Sequence, residues 1–513
     1  MNFLRLLAFL TCLLTTAVSA AIKEPVRLDS GLISGVAGKS SDVRVFKGIP
    51  YAAPPVGDLR WRPPMPVAPW NDVFKADHFS AMCPQIADTT NSFYGREYNL
   101  GPQPPQNEDC LYLNVWTAAK SSSDRRPVMV WIHGGGNTHG YASEPCFDGD
   151  AFAQKGVVLV SFNYRLNIFS CFAHPELTAE SPQHVSGNYG ELDQIAALKW
   201  VQRNIAAFGG NPTNVTVFGQ SSGASSINRL LVSPLAKGLF QKCILESSAT
   251  LNSRDSKINL AGMEQRGLLF AETNGVHTLK ELRAMTPDQL LAGFAKVHFD
   301  PNIDGYVLPE LAVNIYSRGG QFAMPMLLGS TSDEGSFTPV KVGTFHADIA
   351  KRFGALTNEF FQFYPADTDA QAAQSKHDER RDESAAGERA EAASQAALGQ
   401  PVWLYYFDRK PPGHDREKYG AFHSADVEYV FHTLDATDRP WEEADRKLAD
   451  AMISYWANFA ATGNPNSAGL PQWPAYDSKT DMSMELGDNI GARAIPNKTQ
   501  LDFLKNFLDK DAR

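Results

Sequence analysis

Six short runs of β-branched and aliphatic residues recur along the chain, separated by segments long enough to hold helices. They are "PVMVWIH" (127–133), "VVLVSFNY" (157–164), "NVTVFG" (214–219), "CILES" (243–247), "MLLGS" (326–330) and "VWLYYF" (402–407). Runs this short and apolar suit strands buried on both faces, and such strands alternating with helices imply a largely parallel sheet with helices on both sides. The clearest helix is "GELDQIAALKWVQRNIAAFGG" (190–210), where Leu192, Ile195, Leu198, Val201 and Ile205 keep helical spacing up to the stop at Gly209-Gly210. Residues 25–75 carry Gly and Pro punctuation and read as a small β-rich N-terminal element. The expected class is therefore α/β, with one large central sheet. No repeat, linker or composition break divides the chain, so residues 21–513 are expected to form a single domain. The charge-dense "KHDERRDESAAGERAEAA" (376–393) reads as a solvated helix face.

A formal net charge of −10 argues against a nucleic-acid partner, and no polybasic patch suggests a membrane surface. The first twenty residues, "MNFLRLLAFLTCLLTTAVSA", place Arg5 before an apolar run and end in the small-residue site Val18-Ser19-Ala20. That is the pattern of a signal peptide cleaved near Ala20. The run is too short for a membrane span, and no other apolar stretch reaches that length. The mature protein is expected outside the cytosol, where disulfides form. Without Cys12 five cysteines remain, and Cys83 and Cys110, both in polar, turn-rich surroundings, are the first candidate pair. Closing that loop stabilises by roughly 3–4 kcal/mol in a chain-entropy account. Cys146 and Cys171 are a second candidate pair, and Cys243 reads as a buried small hydrophobe. Of the sequons at Asn214 and Asn497, the first enters a core strand, so only the second is usable.

The chemistry concentrates in "NVTVFGQSSGASSINRLL" (214–231), which sets Ser221 between Gly219 and Gly223. G-x-S-x-G is weak alone, and a Gly/Ser turn would produce it too. Its weight comes from a strand before it and a helix after it, the context of a nucleophile on a sharp elbow. Upstream, "WIHGGGNTHG" (131–140) ends a strand in three glycines. Bare amide groups clustered there suit a developing oxyanion, and Gly135, Gly136 and the backbone of Ser222 are the candidate donors. A phosphate cradle is disfavoured, because no Lys-Ser/Thr follows. An activated serine needs a base and an orienting acid. His423 in "YGAFHSADVEYVF" is the candidate base; its rival His432 lies in an aromatic segment and is expected to pack or cap. Glu334 in "LLGSTSDEGSF" is the candidate acid, with Asp333 second. Ser221, Glu334 and His423 occur in the chain order of the α/β-hydrolase triad.

These residues resemble the type-B carboxylesterase and cholinesterase family, and its microbial carboxylesterases more than its animal cholinesterases. "FGGNPTNVTVFGQSSG" (208–223) looks like the family's whole active-serine signature, and "EDCLYLNVW" (108–116) like its second signature. "FKGIPYAAPPVGDLRW", "NYGELDQIAALKWV", "SDEGSF" and "WANFAATGNPN" are similar to further segments, in consistent order from about residue 25 to 510. The resemblance implies the α/β-hydrolase fold and Ser221, Glu334 and His423 as nucleophile, acid and base. It also implies an oxyanion hole at Gly135, Gly136 and Ser222, and a Cys83–Cys110 bridge. Three departures from the family pattern stand out. Gln220 replaces a common glutamate, Ser222 replaces an alanine, and Asn137 and Thr138 stand where an aromatic is usual, which implies a more polar pocket wall.

The resulting expectation is a secreted serine carboxylesterase that acts on a small-molecule ester through an acyl-enzyme, with no metal or organic cofactor. The alternatives are a lipase, a detoxifying esterase for larger polar esters, or a non-catalytic binding protein of the same fold. The binding protein is disfavoured because every catalytic part is present.

Overall fold

Strand pairing in the computed structural model follows the alternation in the sequence and adds antiparallel strands at both edges. The structure describes residues 22–86, 93–97, 103–248, 258–335, 339–413 and 415–511. The expected signal peptide lies outside the described residues.

A small N-terminal sheet joins β1 (Val26–Arg27), β2 (Leu32–Ser34) and β5 (Val73–Lys75). The large sheet contains β3 (Val36–Ala37), β4 (Arg44–Pro50), β6 (Tyr112–Thr117), β7 (Arg126–Ile132), β8 (Val158–Phe162) and β9 (Gly210–Gln220). It continues through β10 (Lys242–Glu246), β11 (Met326–Thr331), β12 (Val402–Phe407), β13 (Met482–Leu486) and β14 (Ile490–Ala494). Its eleven strands run in the order β14-β13-β12-β11-β10-β9-β7-β8-β6-β4-β3. From β8 to β13 every neighbouring pair is parallel, and the outer pairs are antiparallel.

The central strands are apolar on both faces because both faces are covered. Along β7, Val128, Val130 and Ile132 pack into one apolar cluster while Met129 and Trp131 pack into another. The periodic helix spans Tyr189–Asn204, continues as a 3₁₀ turn over Ile205–Phe208, and stops at Gly209 with φ +79°. Among the described residues no helix is long and apolar enough to cross a membrane.

Two expectations are corrected. The charge-dense segment belongs to a long helix, Asp369–Ala397, but Glu379, Asp382, Glu388 and Glu391 on it are buried rather than solvated. Its alanines and Gly387 bring it close to the protein, and its charges meet partners that sequence spacing does not reveal. Arg352 binds Glu379 and Glu383, and Arg389 binds Asp481 and Asp502. Cys83 and Cys110 are bridged, with Cα atoms 5.1 Å apart, but Cys146 and Cys171 are free thiols. Cys146 packs beside Trp131 and Phe147, and Cys171 packs in a separate cluster with Trp61 and Phe172, so the two sulfurs never face each other. Cys243 is free and buried, as its apolar surroundings predicted.

Candidate active site

Strand β9 ends at Gln220 and the helix Ser222–Leu230 begins two residues later, which leaves Ser221 alone in the turn. Its φ of +58° and ψ of −125° are unusual for a residue with a side chain, a conformation that costs on the order of 1–3 kcal/mol. The backbone on both sides holds it there. Ser221 N donates to Glu246 O at 2.8 Å, and Ser225 N donates to Ser221 O at 2.9 Å. The flanking glycines are needed for contact with β7: a Cβ at Gly219 would stand 2.6 Å from Ile132 O, and one at Gly223 would collide with the same oxygen.

The glycine run lies across from the elbow. Gly135 and Gly136 have φ of +106° and +63°, and a side chain at Gly135 would strike His139 O. Among the described residues, none accepts a hydrogen bond from the backbone N–H of Gly135, Gly136 or Ser222. Gln85 holds this loop by taking Gly140 N at 2.8 Å and donating to Gly140 O at 3.1 Å. Gln85 sits two residues from the Cys83–Cys110 bridge, which ties it to the rest of the fold. Neither periodicity nor motif marks Gln85 in the sequence.

Glu334 follows β11, and its side chain is only 5% exposed. One carboxylate oxygen accepts from Ser247 Oγ and from Thr331 N and Oγ1, the last two at 3.0 Å. The other meets Nδ1 of His423. His423 keeps 27% of its side chain open, so the ring can be reached from the cleft while its carboxylate partner cannot. Burial alone would raise Glu334, but the His423 ring and its hydrogen bonds hold it below the ordinary 4.5. Burial alone would likewise lower His423, and the Glu334 carboxylate overcomes this, leaving the imidazole above 6.5.

The other candidates fall elsewhere. Asp333 does not reach His423 but accepts the backbone N–H of Ala421 at 2.9 Å. His432 caps the helix Val427–Phe431 and contacts Asp450 at 2.8 Å. Asn214 is occupied by Lys242 and by Ala461 O, and Asn497 donates to Asp382 at 2.9 Å.

Ser221, His423 and Gly134 to Gly136 line one cleft, with Trp131, Phe147 and Val427 among its apolar lining. Its polar wall is built by Gln85, Gln103, His139, Tyr141 and Glu144. A polar wall was expected from Asn137 and Thr138, but neither is among the residues that line the cleft. Asn137 N donates to Ser222 Oγ at 3.2 Å, and Thr138 Oγ1 donates to Gly135 O at 3.1 Å.

The carboxylesterase family profile matches residues 23–504. The chain is 37% identical over 487 residues to a fumonisin B1 esterase of Sphingopyxis macrogoltabida, covering 90% of this chain and 86% of that one. It is also 37% identical over 471 residues to the para-nitrobenzyl esterase of Bacillus subtilis, covering 87% and 92% respectively. A solved PNB esterase superposes with a TM-score of 0.80 at 33% identity, over 93% of this chain and 99% of that one. The chain thus belongs to the carboxylesterase family and is a carboxylic ester hydrolase of the serine-esterase type on an α/β-hydrolase fold.

Proposed function

We propose that Ser221, His423 and Glu334 form the catalytic triad of this esterase. The observation that carries the reading is a buried Glu334 carboxylate on Nδ1 of His423, a ring that lines the same cleft as Ser221. Ser221 Oγ attacks the ester carbonyl carbon as its proton passes to His423 Nε2. The carbonyl oxygen becomes an oxyanion received by the amides of Gly135, Gly136 and Ser222. His423 then gives the proton to the departing alcohol oxygen, and the acyl–oxygen bond breaks to leave an acyl-Ser221 ester. Water, deprotonated by the same nitrogen, attacks that ester and restores the serine. Glu334 keeps Nδ1–H in place and stabilises the imidazolium at each stage.

The Cys83–Cys110 bridge favours an oxidising compartment, so residues 1–20 are read as a cleaved signal peptide and the exported chain as one domain. The polar wall favours esters larger and more polar than simple alkyl acetates, consistent with a relative that carries the name fumonisin B1 esterase. Ser221→Ala should abolish hydrolysis of p-nitrophenyl butyrate and labelling by a fluorophosphonate probe while thermal unfolding stays near wild type. A Ser221→Ala protein with undiminished turnover would falsify the assignment. A panel of alkyl, polyol and polycarboxylate esters tests the preference, which fails if short alkyl esters give the highest kcat/KM.

A further inference from the structure

His423 Nε2, the nitrogen that must take the serine proton, meets the side-chain Nε2 of Gln220 at 3.2 Å. Gln220 is 4% exposed and is the residue immediately before Ser221. Its side-chain oxygen lies over Gly134, where an added Cβ would come within 3.0 Å of it. The direction of the contact follows from the other end of the ring. Nδ1 faces the Glu334 carboxylate and must carry a hydrogen, so in the neutral imidazole Nε2 holds a lone pair and can only accept. The Gln220 amide N–H supplies the donor. Turning the amide over would set its oxygen against that lone pair.

We propose that Gln220 is a positioning residue for the base: its amide caps the Nε2 lone pair of His423, holding the ring neutral and with its hydrogen on Nδ1 until the Ser221 hydroxyl takes the amide's place. The inference rests on His423 being the base, as proposed above. The charges facing His423 come from three elements: Glu334 in the loop after β11, Asp426 in its own loop, and Arg380 on the long helix. His139 and Glu144 line the same cleft. Nε2 meets none of these, but an uncharged amide that favours the neutral ring. A carboxylate in that place would favour the imidazolium, which has no lone pair for the serine proton.

Gln220→Glu has almost the same shape and reverses this preference. In the full-length protein, kcat/KM for p-nitrophenyl butyrate is followed from about pH 5 to pH 9, beside the second-order rate of fluorophosphonate labelling. The acid-side midpoint in both profiles should move up by about one to three pH units, as expected for a new carboxylate against the ring. Gln220→Met keeps the length but offers no donor, and its midpoint should rise by less than about one unit. The downfield Nδ1–H proton resonance, assigned by its loss in His423→Ala, reports the same titration without turnover. A midpoint that stays put or falls in Gln220→Glu overturns the inference, and so does the same result in Gln220→Met should Gln220→Glu fail to fold. Either outcome leaves the triad standing, provided Ser221 is still labelled in the wild type and His423→Ala is inactive. A wild type that resists labelling would remove the triad reading itself.

Discussion

Asp333 accepts the backbone N–H of Ala421 at 2.9 Å, and through that bond the loop carrying Glu334 holds the loop carrying His423. The two segments also bridge directly, Asp333 with Phe422, and a side chain at Gly420 would collide with the Asp333 carboxylate. Acid and base are therefore set against each other by their neighbours. Asp333→Ala leaves the triad chemistry intact but frees this anchor. A misplacement of about 1 Å can cost on the order of 100-fold in rate, so kcat/KM should fall by about 10- to 100-fold. Losing this half-buried bond should cost about 0.5–1.5 kcal/mol in urea unfolding. Wild-type kcat/KM in Asp333→Ala would show that the loops hold their positions without it.

The acid limb of the rate profile follows from the Glu334–His423 pair. Because Glu334 outweighs burial and holds the imidazole above 6.5, the free-enzyme midpoint in kcat/KM should lie above that value. The pair also gives stability a direction. His423, raised on folding, contributes fully below 6.5 and loses its contribution as pH rises through its folded value. Glu334, lowered on folding, contributes above 4.5 and loses its contribution as pH falls through its folded value. Glu334→Gln removes the carboxylate and leaves burial in control, so the ring's midpoint should drop below wild type. Activity should fall steeply as well, by on the order of 10⁴-fold by analogy with the acid-to-amide change in other triads. A midpoint that holds still in Glu334→Gln would mean the carboxylate does not set it.

What the sequence made legible is what local rules encode. The buried strands could be read because both faces of each carry apolar residues, and the elbow because Gly219 and Gly223 have to let helix and strand meet β7. The antiparallel edges were harder. β13 and β14 are short and only partly buried, so their pattern is faint. Ser247, which donates to Glu334, and Gln85, which clamps the glycine loop, are single polar residues far from their partners in the chain. Their roles come from tertiary proximity, which spacing does not carry. The long acidic helix failed for the same reason. A Glu on a helix looks solvated until the serine, asparagine or arginine that meets it is brought in from another element.

That helix also yields a stability prediction. Glu391 is fully buried, and its carboxylate accepts from Asn228 Nδ2 at 2.9 Å, on the helix that begins beside Ser221. Glu388, one turn earlier, accepts from Ser330 Oγ at 2.7 Å, and no arginine or lysine is recorded against either among the described residues. Burial pushes Glu388 well above the ordinary carboxylate range and Glu391 up to about 8, so Glu391 is a neutral acid near pH 7. An acid raised on folding keeps its proton while the unfolded chain releases it above 4.5. Stability therefore falls as pH rises from 4.5 toward the folded value, by on the order of 1.4 kcal/mol per pH unit for each group. Glu391→Gln keeps the size and the acceptor but has no proton to lose. The variant should match wild type near pH 5 and exceed it by about 3–4 kcal/mol near pH 8 in urea unfolding. If its advantage does not grow with pH, Glu391 is ionised in the folded protein, and the pocket around it must supply a counter-charge.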